Sequence, residues 1–170
     1  FGFKVNDRLN IGAALNINYQ SLAMYNSNFQ LPQNQVFGFG ASLGMTYHIS
    51  PALRLGAAYT SEQDMDSFEW NTLSGRYKMS MDAPQSLQVG LAFTPSDSLL
   101  IEADIKQIQF SDVMDKITMK TPGGDQTIHF GWSDQTVYAI GVQKQINPRT
   151  TVRLGYNYGA GNWQRVRKGF

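Results

Sequence analysis

The chain has no cysteine, so a disulfide framework, a thiolate metal site and a cysteine nucleophile are all excluded. Long apolar runs are missing too: no stretch approaches the ~18 consecutive apolar residues of a membrane-crossing helix. Charge is sparse, at 16% of residues, and 14 basic against 13 acidic residues leave a net +1. Such a balance gives no global electrostatic case for nucleic acid. Only two histidines are available for acid–base or metal chemistry. The chain opens at Phe1 with no Met, charged n-region or cleavage site, the pattern expected of a mature or partial product.

What is present in quantity is alternation. Phe37, Phe39, Ala41, Leu43, Met45, Tyr47 and Ile49 are apolar, while Gly38, Gly40, Ser42, Gly44, Thr46 and His48 lie between them. Leu9 to Tyr19 repeats the pattern against Asn10, Gly12, Ala14, Asn16, Asn18 and Gln20. Side chains alternate faces along a strand, so a period of two held this long requires an apolar environment on one side only.

A turn motif recurs through Asn6-Asp7-Arg8, Ser50-Pro51-Ala52, Thr94-Pro95-Ser96 and Asn147-Pro148-Arg149, its first residues 44, 44 and 53 positions apart. These tight turns, near 6–8, 50–52, 94–98 and 147–150, alternate with long polar loops near 26–35, 61–83 and 111–133. Short and long connections in alternation describe an up-and-down antiparallel meander. Eight strands are expected, at about 1–5, 9–25, 36–49, 53–62, 77–94, 99–110, 134–146 and 151–160. The fifth keeps its phase across Pro84, which requires a kink or an unpaired amide. The sixth slips phase at Ile108 and Phe110, which predicts a bulge near Gln107.

The small uncharged face distinguishes an all-β transmembrane barrel from a soluble one. A soluble barrel would carry Lys and Glu outside, whereas Gly, Ala, Ser, Asn, Gln and Thr suit a crowded or watery lumen. The strands match the ~9–11 residues needed to cross a bilayer at a tilt. Tyr19, Tyr25, Tyr47, Tyr59, Phe93, Tyr138, Tyr156 and Tyr158 lie near strand ends as candidate interfacial girdles. An open sheet in lipid would leave its edge amides unpaired, so the strands must close or be completed by others. Glycines 38, 40 and 44 are read as permitting curvature. The whole of 1–170 is thus one transmembrane β-barrel domain or a segment of one, in a Gram-negative outer membrane, with membrane lipids and lipopolysaccharide as neighbours.

Met81-Asp82-Ala83-Pro84-Gln85-Ser86-Leu87 with Gly90-Leu91-Ala92, and Leu53-Arg54-Leu55-Gly56-Ala57-Ala58-Tyr59, resemble passages of the FadL/TodX/OmpP1 family of outer-membrane transporters for hydrophobic compounds. So do Trp132-Ser133-Asp134-Gln135-Thr136-Val137-Tyr138 and Arg153-Leu154-Gly155-Tyr156-Asn157-Tyr158-Gly159. The resemblance covers about residues 45–160 in consistent order. It implies a barrel of about 14 strands that passes fatty acids or aromatic hydrocarbons, with an amino-terminal hatch in the lumen and a lateral opening in the wall. The chain departs from that pattern in having no Asn-Pro-Ala type hatch motif and in stopping where closing strands are expected. Its tail, Trp163 to Phe170, is basic and poorly alternating, and only Phe170 matches the terminal aromatic of such proteins.

The polar face carries Arg54, Glu102, Asp104, Lys106 and Arg153, expected near the short-turn end. They form either an interior ion-pair network or, through Arg54, Lys106 and Arg153, a greeting for a carboxylate head group. Phe68, Trp70, Met79, Met81 and Trp132, with Met114, Ile117, Met119 and Phe130, lie in the long loops. They make either a greasy capture surface for a hydrophobic small molecule or a self-packed cluster. The acidic groups Glu62, Asp64, Asp66, Asp112 and Asp115 read as solvated rim charges or a Ca²⁺ or lipopolysaccharide bridge. His129, near Asp125 and Ser133, is the one conceivable hydrolytic triad, without a Gly-x-Ser-x-Gly context. His48 is expected to face the lumen in a structural role. The expectation is a passive channel for hydrophobic compounds with no cofactor, metal or chemical step. The competing readings are a non-transporting anchor or adhesion scaffold and, third, a lipid-modifying enzyme; oligomeric state is left open.

Overall fold

The computed structural model describes residues 1–25 and 30–161; the Trp163–Phe170 tail and part of the first long loop lie outside the described residues. Eight strands build one antiparallel sheet: β1 (Gly2–Lys4), β2 (Leu9–Tyr25), β3 (Gln30–Ser50), β4 (Leu53–Thr60), β8 (Ser86–Ser96), β9 (Leu99–Ile108), β12 (Gln135–Asn147) and β13 (Thr150–Gly161). They are paired in that order, each with its predecessor. β5 (Asp64–Met65) rejoins β3 above β4. Three of the four repeated turn residues do the same job. Asn6 Oδ1 accepts from the amides of Arg8 and Leu9 at 2.8 and 2.9 Å, Asn147 Oδ1 from Arg149 at 2.9 Å, and Ser50 Oγ from Ala52 at 3.3 Å. A side-chain oxygen thus mimics a backbone acceptor and reverses the chain in a few residues.

The two faces of this sheet are inverted relative to a water-soluble protein. Leu15, Leu154 and Ile17 are 86%, 78% and 72% exposed on the outer face. The aromatics Tyr19, Tyr47, Tyr59, Phe93, Tyr138, Tyr156 and Tyr158 stand exposed among them. An unbroken surface of that kind is stable only against hydrocarbon. The opposite, concave face is made of small and polar residues, in rows set by the register. One row runs Thr46, Gly56, Gly90, Asp104, Ala139, Asn157; the next runs Gly44, Ala58, Gln88, Lys106, Val137, Gly159.

A second sheet comes from the segments expected as loops. β6 (Phe68–Thr72), β7 (Gly75–Met79), β10 (Lys116–Thr121) and β11 (Gly124–His129) pair in the order β11-β10-β7-β6. Helix α1 (Phe110–Met114) leads into β10. β3 begins at Gln30, not near 36, so the β2–β3 hairpin runs on for roughly 40 Å of strand beyond the point where β4 ends. Its concave side turns apolar there, and Leu31 and Val36 join Met65, Phe68, Trp70, Met79, Ile117 and Met119 in a buried core, with Leu22 and Met24 packed on it. We call this unit the cap.

Two strand expectations are corrected. The expected strand 77–94 is divided: residues up to Met79 belong to the cap, and β8 starts at Ser86. Pro84 has no N–H to offer the ladder, and Met79 gains a core by leaving it. No bulge occurs near Gln107, which pairs in unbroken register with Leu87 and Thr136. The phase slip arises because β9 ends at Ile108 and Phe110 opens α1.

Candidate functional site: the concave wall and the cap

The concave face encloses a recess of about 570 Å³, lined in part by Asn10, Arg54, Gln88, Glu102 and Asp104. Its floor is nearly bare backbone, because Gly12, Gly44, Gly56 and Gly90 lie on it. At Gly90 the Asp104 carboxylate occupies the space a Cβ would take. Gly38 and Gly40 have a reason beyond curvature. A Cβ on Gly38 would overlap Met65, and one on Gly40 would overlap the Gln63 carboxamide. Close approach by the next strand, rather than bending alone, requires glycine at both.

The neutral side of the wall is laced by side-chain hydrogen bonds between strands. Asn10 Nδ2 donates to Thr46 Oγ1 at 3.3 Å, and Asn16 Nδ2 to Ser42 Oγ at 2.8 Å, while the Ser42 and Thr60 hydroxyls lie 3.2 Å apart. The charged side is looser. Among the described residues Arg54, Glu102, Asp104, Lys106 and Arg153 form no ion pair with one another. Arg54 and Glu102 share a row two strands apart, roughly 10 Å, too far for direct contact of the backbones to enforce pairing. Arg153 Nε donates to Gln143 Oε1 at 2.7 Å, and Gln88 Nε2 reaches Asp104 Oδ1 at 3.4 Å. Lys106 sits two residues from the long-loop end of β9, not near the short turns as expected.

The apolar loop residues separate into two places. Phe68, Trp70 and Met79 are core residues of the cap, no more than 3% exposed, and Met81 is half-buried against them. Trp70 Nε1 donates to the Pro32 carbonyl at 2.6 Å and stacks on Phe68 at a centroid distance of 5.7 Å, which ties the cap to the hairpin. Trp132 lies elsewhere, 42% exposed, edge-on to Phe110 at 5.1 Å and near the exposed Phe130. The cap's opposite face is polar: Glu69 pairs with Arg76 and with Lys78. These partners, Arg76 foremost, hold the Glu69 carboxyl below the usual range. At the rim, burial pushes the Glu62 carboxyl up, helped by the carboxylates of Asp82, Asp112 and Asp64.

No triad is assembled around His129. Asp125 and His129 lie four residues apart on β11, so the strand separates them by about 13 Å, beyond hydrogen-bond reach. Among the described residues no group of three or more His, Asp or Glu is placed to hold a metal. His48 falls on the concave face opposite Arg54. Sequence reasoning missed Gln63, a buried polar side chain on the wall; its only signal was the Gly38 and Gly40 pair that makes room for residues 63–65.

A barrel wall with hydrocarbon outside, a polar recess inside and a cap over its rim defines a β-barrel protein of the outer membrane. The chain belongs to the family described as outer membrane protein transport protein (OMPP1/FadL/TodX), which matches residues 1–165. Among solved structures it is similar to the Ralstonia pickettii toluene transporter TbuX, with TM-score 0.74 and 21% identity over 94% of this chain and 53% of that one. The P. putida toluene transporter TodX gives TM-score 0.75 and 21% identity over 94% and 52%. A Pseudomonas aeruginosa FadL homologue gives TM-score 0.75 and 17% identity over 94% and 48%. The chain thus spans about half the length of these relatives, and at such identity they show the fold alone. A search of the curated proteins found no significant match.

Proposed function

We propose that the protein of which this chain forms a wall segment carries hydrophobic compounds, fatty acids or aromatic hydrocarbons, passively across a Gram-negative outer membrane. The observation that carries this reading is the combination of family membership with a concave recess floored by glycines and edged by polar side chains, beneath a folded cap. Two neighbours in fold are toluene transporters by name, which favours an aromatic solute. Arg54 and Lys106, without ion-pair partners among the described residues, favour an acid. Capture falls to the exposed rings of Phe130 and Trp132, the latter backed by the half-buried Phe110, since an apolar solute gains by covering such rings. The solute then moves down its concentration gradient, and no bond is made or broken.

The burial of Phe68, Trp70 and Met79 favours the competing reading, a non-transporting scaffold whose cap binds partners, because it removes three apolar groups from capture. The two separate in a Gram-negative host lacking its own transporter of this family. Expression of the full-length gene product should raise accumulation of labelled toluene or palmitate above the host alone. Equal accumulation of both with and without the protein overturns transport and leaves the scaffold.

A further inference from the structure

β4 does not run straight into β5. Between the pairs Ser42–Thr60 and Phe39–Asp64, three residues, Ser61, Glu62 and Gln63, oppose only Ala41 and Gly40. The extra residue makes a bulge that turns Gln63 onto the concave face, where it is 5% exposed. The bulge is clamped on both sides. Ser61 N donates to the Ala41 carbonyl at 2.9 Å and Ser61 Oγ accepts from Ala41 N at 3.0 Å, while Gln63 and Ala83 exchange backbone bonds at 2.9 and 3.1 Å.

The Gln63 carboxamide lies flat over Gly40 and is held at both ends. Its Oε1 accepts from Asn18 Nδ2 at 2.6 Å, and its Nε2 donates to the Ser61 carbonyl at 2.6 Å. Immediately above it, Met65 belongs to the apolar core of the cap. Immediately below it, Ser42, whose hydroxyl meets that of Thr60, begins the polar recess. On this stretch of wall one buried amide therefore lies between the two environments. A buried amide without partners is costly, so swinging the carboxamide away from the wall means breaking both bonds.

We infer that Gln63, positioned by Asn18, is a size-selecting constriction between the cap and the concave recess, acting on apolar solutes that enter under the cap. The inference rests on the transport reading above. A slender solute passes beside the amide; a broader one requires it to swing away. Removing the side chain admits the broader solute selectively, whereas a general loosening of the cap would admit both.

The test compares Gln63→Ala and Asn18→Ala with the wild type, using the full-length protein in the host described above, with labelled toluene and labelled naphthalene as probes. Folding of each variant is checked by the heat-dependent gel mobility of intact barrels. The naphthalene-to-toluene accumulation ratio should rise about tenfold for Gln63→Ala, the effect of about one lost hydrogen bond on the barrier, and by less for Asn18→Ala. Should Gln63→Ala fail to fold, Asn18→Ala, which leaves the bulge's backbone bonds intact, reads the same ratio. A ratio unchanged in the folded variants, with wild-type toluene accumulation present, overturns the constriction and spares the transport reading. No wild-type accumulation of either probe overturns both.

Discussion

The wall and the cap are built from the same kinds of residue and use them in opposite directions. In the wall, leucine, isoleucine and phenylalanine point outward and glycine, asparagine and glutamine point inward; in the cap, Phe68, Trp70, Met79, Ile117 and Met119 are buried and Glu69, Arg76 and Lys78 face out. The difference teaches that one chain can be folded by two solvents. The wall gains stability because its apolar surface already sits in hydrocarbon and its backbone groups are paired in the ladder. The cap gains it as any water-soluble sheet does, by removing apolar area from water.

That contrast can be broken from either side. The largest effect is expected from Phe68→Ala, a fully buried cap residue, at about 3–5 kcal/mol. The cap should lose its protection against protease while the barrel retains heat-dependent gel mobility. Loss of both together would show that the wall depends on the cap. Next is a lysine at Leu43, in mid-wall on the outer face. About 2–4 kcal/mol of destabilisation is expected in denaturant titrations in lipid bilayers, as for cations on the lipid face of barrels. The same change at Leu73, fully exposed at the β6–β7 hairpin tip, should cost almost nothing. Equal costs at the two positions would contradict a lipid-facing wall.

The smallest effects are electrostatic and confined to the cap and rim. Glu69 has its folded-state pKa lowered, so its contribution to stability is present above its unfolded-state value and is lost as pH falls through the lowered one. Glu62 has its pKa raised, so the protonated form is favoured on folding. That advantage holds below its unfolded-state value and disappears as pH rises through the raised one. Cap melting followed in acid should therefore weaken less for Glu69→Gln than for wild type, and Glu62→Gln should flatten the slope of opposite sign. Both groups are largely solvated, so the shifts in melting temperature will be small.

Much of the wall could be read directly. From Leu9 to Tyr19 and from Phe37 to Ile49 the alternation names both the strand and its lipid face, and the Asn6, Ser50 and Asn147 turns reverse the chain as their side chains dictate. The cap could not be read in the same way. Its strands are five or six residues long, and its central pairing, Met79 with Met119, joins residues forty positions apart. No local period announces such a contact. The candidate site was half legible for the same reason. Arg54, Lys106 and Arg153 were placed on the polar face by period alone, whereas the burial of Phe68, Trp70 and Met79 depended on which distant strand would cover them.

By itself, then, the order of residues determined a two-faced sheet and the medium each face requires, because side-chain direction in a strand follows from chain geometry and nothing else. Only the tertiary structure decided that two loop segments join into a cap, that Pro84 parts the fifth expected strand between wall and cap, and that Gln63 is drawn over Gly40. Those outcomes turn on close packing between segments remote in the chain, where the shape of one surface is fixed by the other.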